Sequence, residues 1–480
     1  MKKLLCLILA FLMLVSVASC GSVTDPQPES EDNSNNSGET EIKEDEQTTK
    51  EQTTDEPVYD GIFQTGYARV AITPELPIGD FTEVKNDIHA TCVAVYDGEQ
   101  TLMFISLDIG SIMENYCDDI RSQVYWAADV PFENIFITAV HNHSSPTFGE
   151  SSRWKTTSLV KIGEAAKAAV KDLSDTEMFI GTGKTTGMAF VRRYVDAFGR
   201  YASVSPTKPD GKWLNSSTTR TVSEADDTLQ VIRFAREDKK DIIAMNWQAH
   251  FAHAIDAEPG VISSDMAHYI RQDVEAGDDD ALVAYFAGAS GNINLNPPNQ
   301  SARKYNDYVE VAHALAEVTL EVIKEDNLTR ASAGKINITK KVYAAEHKKD
   351  SASEIAAAQN RLNASSGGVL AQAGDRYLVE RNKSKSSNLR IAAISFGDLA
   401  FITAPYEMFD NNGVQIKEGS PFKMTFIITN SDGAYAYMPS YEACTKYGGY
   451  ETKATYFATG VAEKLVAEFL AMLSEIKQTN

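Results

Sequence analysis

Basic residues are few in this chain: 45 lysines and arginines stand against 67 aspartates and glutamates, a formal net charge of −22 at pH 7. A surface of that sign repels a phosphate backbone and anionic headgroups, which argues against nucleic-acid binding and against electrostatic attachment to anionic lipid. Cysteine is also scarce, five in 480 residues. Those beyond the N-terminal region, Cys92, Cys117 and Cys444, are odd in number and have no metal-type spacing. They read as buried small hydrophobes rather than as a zinc cluster or a disulfide framework. After residue 17 no run is long and apolar enough to span a membrane. There is no internal repeat. A nucleophile elbow is missing too: Gly288-Ala289-Ser290-Gly291 lacks the Gly-x-Ser-x-Gly spacing, which sets a serine hydrolase built on Ser290 aside.

What is present begins at the N-terminus. Lys2-Lys3, the apolar run Leu4 to Val17 and Val17-Ala18-Ser19-Cys20 read as a secretory signal over residues 1–20 that ends in a lipobox. Cys20 is then the lipidated first residue of an anchored, secreted lipoprotein, held on the outer side of a bacterial membrane in the cell envelope. Residues 21–57 are almost devoid of apolar side chains and rich in Glu, Asp, Ser, Thr, Asn and Gln. Such a segment buries too little surface to offset its ordering entropy, and is expected to be a disordered acidic tether.

Residues 58–480 show no second linker of that composition and are read as one large catalytic domain. Strand-like runs at 102–107, 135–140, 177–181, 229–234, 242–247, 282–287, 336–343, 389–395, 399–404 and 424–429 alternate with amphipathic segments. The helical ones, at 159–173, 308–325, 352–362 and 455–476, carry apolar residues at three- and four-residue spacing. The alternation predicts an α/β fold of mixed β-sheets flanked by helices. Phe396-Gly397-Asp398 is expected to join 389–395 and 399–404 as an antiparallel hairpin.

Chemistry concentrates where such runs end. Ile135 to Val140 is followed by His141-Asn142-His143 and then by the turn-like Ser144-Ser145-Pro146-Thr147. If the strand continues through the motif, both imidazoles project from one face and can converge on a metal ion. Two surface histidines in a polar loop fit these residues equally well. Three later segments favour the site: apolar runs precede His250, Glu407 and the stretch Asn430 to Tyr437 in the same way. Strand ends of one sheet line a common crevice, so residues far apart in sequence can meet there.

In order along the chain stand Gly66-Tyr67-Ala68-Arg69-Val70-Ala71-Ile72-Thr73-Pro74, Ser106-Leu107-Asp108, Thr138-Ala139-Val140-His141-Asn142-His143-Ser144-Ser145-Pro146, Asn246-Trp247-Gln248-Ala249-His250, Ser263-Ser264-Asp265, Gly288-Ala289-Ser290-Gly291-Asn292-Ile293-Asn294 and Ala404-Pro405-Tyr406-Glu407. This ordered set, from about Thr65 to near the C-terminus, resembles the catalytic domain of the neutral, non-lysosomal ceramidases. The resemblance implies a zinc amidase whose ligands fall on His141, His250, Glu407 and Tyr437, with His143 as a catalytic neighbour. It also implies that the pair Arg192-Arg193 reaches the substrate or an oxyanion, Arg193 as a catalytic group and Arg192 on the substrate. The alternative for that pair is a surface basic patch. Departures from the family pattern occur at Tyr406, where glycine is usual, at Ala434, where a tyrosine is usual, and at Val191, where an asparagine is usual. The glycine-rich loop places Gly288 and Ser290 at the substrate, but Gly288 stands where ceramidases carry serine and Asn292 where they carry aspartate. The well-known ceramidases also continue into a β-rich C-terminal domain, whereas this chain stops soon after its final helix.

Two imidazoles, a carboxylate and a phenol leave Zn²⁺ an open position, the pattern of a catalytic site. His143 is expected to relay a proton to the leaving amine. Asp108 and Asp265 are candidates for orienting the ligand imidazoles, or else for capping turns. His253 has a site-rim position as its minority reading, while His89, His268, His313 and His347 read as structural or solvated. The expected function is zinc-dependent hydrolysis of the amide of an N-acyl, sphingolipid-like or other lipid substrate. The rival is a non-catalytic, surface-anchored lipid- or glycan-binding lipoprotein that retains the fold.

Overall fold

The structure is a computed structural model that describes residues 59, 61–195, 198–199, 201–203, 220–295, 304–365 and 369–478. The expected signal, Cys20 and the tether lie outside these residues.

Two β-sheets stack face to face. The larger has nine strands: Ala281–Ala287, Asp241–Trp247, Thr228–Arg236, Ser174–Lys184, Gln64–Ala71, His89–Tyr96, Thr101–Leu107 and Ile135–Ala139 in spatial order, with Thr329–Ala331 also pairing on Ser174–Lys184. It is mixed, because the pairs at its two ends are parallel and the pairs between are antiparallel. The smaller sheet runs Ile336–Glu346, Ser386–Phe396, Leu399–Thr403, Met424–Ile428, and its last pair is parallel.

Side-chain alternation builds the layers. In Asp241–Trp247, Ile243, Met245 and Trp247 face one side, while Ile242 and Ala244 face the other. The second side meets the smaller sheet in a phenylalanine-rich interface, where Phe104 and Phe401 lie 5.0 Å apart between ring centroids and Phe401 and Phe426 5.4 Å apart. Asn246 stitches the two sheets: its Nδ2 donates to the carbonyls of Phe286 and Ile427, and its Oδ1 accepts from the Ile427 N–H.

Helices cover the outer faces. They are α1 (Glu114–Ala128), α2 (Ser152–Lys171), α3 (His253–Ala257), α4 (Met266–Gly277), α5 (Tyr308–Val322), α6 (Ala352–Asn363), α7 (Val369–Arg381), α8 (Asp410–Gly419) and α9 (Val461–Lys477). Residues of α1 and α2 pack on one part of the large sheet, those of α4 and α5 on another, and those of α8 and α9 on the small sheet. Every expected strand run is a strand, and the Phe396-Gly397-Asp398 hairpin is antiparallel. The last helix starts at Val461 behind Gly460, whose φ of +88° breaks the turn, and not at Thr455.

Candidate metal centre

The strand Ile135–Ala139 is wholly buried and stops two residues short of the histidine motif. The expectation that it runs through His143 is therefore corrected. His141 takes a left-handed backbone, φ +66°, which costs a non-glycine residue about 1–3 kcal/mol and persists where neighbours over-determine it. They do here. The His141 N–H donates to the Ile109 carbonyl at 3.1 Å, Asn142 Nδ2 to the Asp108 carbonyl at 2.7 Å, and the His143 N–H to the Phe251 carbonyl at 3.0 Å. It is this turn, not strand pleat, that brings the two rings to 4.8 Å between centroids.

His250 arrives from the end of Asp241–Trp247, so its backbone belongs to the other end of the same sheet. Its Nε2 lies 3.1 Å from Nε2 of His141, and Nε2 of His143 lies 3.3 Å from the same atom. Glu407 comes from beyond the small sheet, where the short strand Glu407–Met408 pairs in parallel with Tyr437–Met438, and its Oε2 is 3.3 Å from both His141 and His250 Nε2.

The second nitrogens decide the tautomers. Nδ1 of His141 sits 2.6 Å from the Gly110 carbonyl and Nδ1 of His250 sits 2.8 Å from the Ser290 carbonyl. A carbonyl only accepts, so each Nδ1 carries the proton and each Nε2 turns a lone pair inward. Two such lone pairs, the His143 nitrogen and a carboxylate oxygen thus converge on one point. Glu407 Oε2 is buried and, among the described residues, has no hydrogen-bond partner. Lone pairs crowded in this way repel one another unless a cation stands among them, and the nitrogens of His141, His143 and His250 lie within 4.8 Å of one another, close enough to share one.

Protonation states suit that role. Burial pushes the His250 imidazole down to about 4, helped by Arg192, and pushes His143 well below the usual histidine range, helped by its two neighbouring rings. Both are neutral at pH 7 and free to ligate. Burial opposes charge on Glu407, yet His141 and His250 outweigh it and hold the carboxyl well below its ordinary range. Glu407 in turn overrides burial to raise His141.

Tyr437 joins this group. Its ring stacks on His250 at 6.4 Å, and the Arg192 guanidinium lies 5.4 Å from its ring centroid. Both arginines of the pair are buried, so the surface-patch alternative is out. They share Glu451, which the sequence reading missed: Arg192 Nε donates to Oε1 at 2.6 Å and Arg193 Nη2 to Oε2 at 2.7 Å. Their surroundings differ. Arg192 also donates to the Gly291 carbonyl at 2.9 Å, whereas Arg193 lies over Phe409 at 4.7 Å and donates to the Gly448 carbonyl at 2.8 Å. Arg192, not Arg193, stands against the residues of the centre. Glu451 sits in an irregular stretch after Gly448-Gly449-Tyr450, where no periodicity marks it.

The expected orienting carboxylates do other work. Asp108 accepts both Arg271 Nη atoms at 2.9 and 2.6 Å, together with Ser264 Oγ and the His89 N–H. It braces the loop under the motif, and the imidazoles are oriented by the two carbonyls instead. Asp265, φ +53°, accepts the N–H groups of His253, Ala254 and Met266. Ser290 is buried at the centre, with its carbonyl on His250 and its Oγ without a partner among the described residues. At Gly288 a Cβ would meet the Trp247 carbonyl carbon and oxygen at 3.0 Å, so a side chain there is tight against backbone and the Trp247–Gln248 peptide would have to give by a few tenths of an ångström. His253 Nε2 is buried without a partner among the described residues, and burial pushes this ring down to about 3.

No protein-family model matches the chain, and no curated protein matches it. Solved structures do. The crystal structure of neutral ceramidase from Pseudomonas aeruginosa superposes with a TM-score of 0.66 at 14% identity, over 88% of this chain and 75% of that one. A ceramidase complexed with C2 gives a TM-score of 0.64, also at 14% identity, over 88% of this chain and 76% of the other. The chain shares their fold.

Proposed function

We propose that the protein is a zinc-dependent amide hydrolase of the neutral ceramidase type, acting on an N-acyl lipid substrate. The observation that carries this reading is the meeting of three imidazole nitrogens with Glu407 Oε2, a buried carboxylate oxygen that has no hydrogen-bond partner among the described residues. His141, His250, Glu407 and Tyr437 hold the ion. Once bound, it supplies a Lewis acid for the substrate carbonyl and a water acidified to a pKa of roughly 7. His143, neutral and 3.3 Å from His141, takes a proton on Nε2 and delivers it to the leaving amine. Arg192 fixes the Tyr437 ring and brings positive charge to the side of the site where oxyanion charge develops. The Gly110 and Ser290 carbonyls keep both ligand rings in the tautomer that ligation needs.

The substrate is an N-acyl amide other than ceramide. Gly288 offers no hydroxyl where ceramidases place serine, and sites built to hydrogen-bond a hydroxyl discriminate strongly on that contact. The same departure motivates the second reading, a lipid- or glycan-binding lipoprotein without turnover. In either case residues 1–20 act as a lipoprotein signal and Cys20 as the anchor, with residues 21–57 as the tether. The test is metal analysis of purified protein coupled to a hydrolysis screen of N-acyl amides, with chelator controls. Near-stoichiometric zinc and chelator-sensitive release of amine are expected. Zinc without turnover of any amide leaves the binding reading, and a protein that retains no metal removes both the site and the hydrolase.

A further inference from the structure

A second group of chemistry-bearing side chains lies where the strand Ile336–Glu346 ends and its register partner Ser386–Phe396 begins. A surface cleft of about 620 Å³ opens there, with Glu346, His347, Lys349, Lys385 and Ser386 in its lining. None of these is a ligand of the metal centre. His347 is the buried member. Its N–H donates to the Lys385 carbonyl at 2.8 Å, and its backbone bridges to Phe457. Two contacts fix its ring: Nδ1 lies 2.9 Å from the Arg381 carbonyl, and Nε2 lies 2.8 Å from Ser387 Oγ. Ser384 Oγ lies 3.2 Å from the same Nδ1.

A carbonyl only accepts, so Nδ1 carries the proton, Nε2 presents a lone pair, and the Ser387 hydroxyl donates to it. That arrangement activates a serine: a base within hydrogen-bond reach of the hydroxyl, itself held in one tautomer by a third group. The third group is firmly braced. Arg381 ends α7, and its buried guanidinium takes Asp350 with both contacts at 2.6 Å and donates to the Lys453 and Thr455 carbonyls. Ser387 stands second in its strand, opposite Ala345, and is only half-buried, so the core does not seal it off. The cleft carries two ammoniums, Lys349 and Lys385, against one carboxylate, Glu346, which Lys464 approaches to 3.9 Å. In a chain of net charge −22 this excess of positive charge favours an anionic ligand.

We propose that Ser387 and His347 form a second catalytic site, a nucleophilic serine with its general base, which hydrolyses esters that carry a negative charge. As Ser387 Oγ bonds to the ester carbonyl carbon, its proton passes to His347 Nε2. The tetrahedral adduct then breaks its C–O bond to the alcohol, which leaves with that proton. Water attacks the acyl-serine and gives a proton to Nε2. The acid departs as Ser387 Oγ takes that proton back, so water is the only co-reactant. Lys349 and Lys385 hold the charge of the substrate.

The experiment treats the full chain with diisopropyl fluorophosphate, locates the adduct by peptide mass spectrometry, and measures hydrolysis of 4-acetoxy-3-nitrobenzoate against the neutral 4-nitrophenyl acetate. One phosphoryl group is expected on Ser387, with or without chelator. His347→Gln should slow that labelling about 10²–10⁴-fold, the usual worth of a general base. Wild type should favour the anionic ester about tenfold in kcat/KM at low salt, with the preference falling as salt is raised. Ser387→Ala, a mild change at a half-buried strand position, should abolish both the Ser387 label and the preferred hydrolysis while keeping the wild-type melting temperature. The proposal is overturned by a wild type that stays unlabelled at Ser387, or by labelling that proceeds equally fast in urea-unfolded protein. Labelling of His347→Gln at the wild-type rate, unchanged ester hydrolysis in Ser387→Ala, or equal kcat/KM for the two esters overturns it as well. The urea comparison stands in for His347→Gln should that variant not fold.

Discussion

His141 shows how a residue is held in a conformation it does not favour. Its left-handed backbone is imposed by the loop contacts at Ile109, Gly110 and Phe251, and the strain is what lets His141 and His143 aim at one point after the strand has ended. The sequence made the pair visible, but not the turn, because nothing in Val140-His141-Asn142 marks a positive φ. Replacing His141 or His250 by alanine should abolish zinc retention, since losing one imidazole from a set of three or four ligands leaves a poorly held ion. Metal analysis of the purified variants checks this, and stoichiometric zinc in both would remove the site. His143→Gln is expected to keep zinc and to lower turnover by about 10²–10⁴-fold, the usual worth of a general acid or base. Loss of zinc in that variant would make His143 a ligand instead. Asp410 titrates through burial, which pushes its carboxyl up to about 7 from an ordinary 3.8. Folding thus raises this acid's affinity for a proton, so its burden is nil below pH about 4, grows as the pH rises from about 4 to 7, and is constant above. The Asp226 N–H contacts it at 3.2 and 3.3 Å, a bond that an asparagine oxygen can also accept. Asp410→Asn should then match wild type near pH 4 and exceed its stability by roughly 2–4 kcal/mol at pH 8. Thermal unfolding at the two pH values reads the difference, and an equal effect at both would refute it.

At the scale of elements, most long apolar runs were legible, but the buried strand His89–Tyr96 was not, its run being broken by Thr91 and Cys92. Most of the ten expected strands are rich in Ile, Val, Leu and Phe and are buried, although Ile336–Glu346 and Ser174–Lys184 are only partly so. Gln64–Ala71 escaped because its outer half is only partly covered, and α7 because Val369–Arg381 lacks a clean apolar stripe. The glycine-rich loop was found, but its geometry was not. Sequence alone left open whether position 288 has space for a side chain; the chain there runs against the Trp247–Gln248 peptide, with contacts at 3.0–3.2 Å for any added Cβ. Backbone cannot yield as a flexible side chain does. Gly288→Ala should cost about 1–3 kcal/mol by overpacking the end of Ala281–Ala287, and Gly288→Ser should cost at least as much without gaining ceramide hydrolysis. Denaturant unfolding measures the first effect. An unchanged midpoint for Gly288→Ala would show that the loop relaxes easily.

For the whole molecule, the centre belongs to neither sheet alone. His141 and His143 follow one end strand of the large sheet, His250 follows a strand near its opposite end, and Glu407 and Tyr437 follow strands of the small sheet. The order of motifs in the sequence suggested such a convergence of strand ends. That two stacked sheets supply it was not legible, because the phenylalanines of the interface read as ordinary strand residues. A ligand bound across the two sheets binds only when they are docked, so its binding energy adds to the stability of the fold. At a free zinc concentration about 1,000 times the dissociation constant this linkage is worth about 4 kcal/mol. Wild type should therefore unfold several degrees higher with zinc than with chelator. His250→Ala should show almost no difference between the two, because its binding is lost. Asn246→Ala, which removes hydrogen bonds between the sheets and leaves the Phe286 and Ile427 partners unsatisfied, should lower both midpoints by a similar amount, worth about 1–3 kcal/mol, and keep the zinc-dependent gap. Differential scanning calorimetry separates the cases. A zinc-dependent gap of the same size in His250→Ala would place the stabilising ion elsewhere on the molecule.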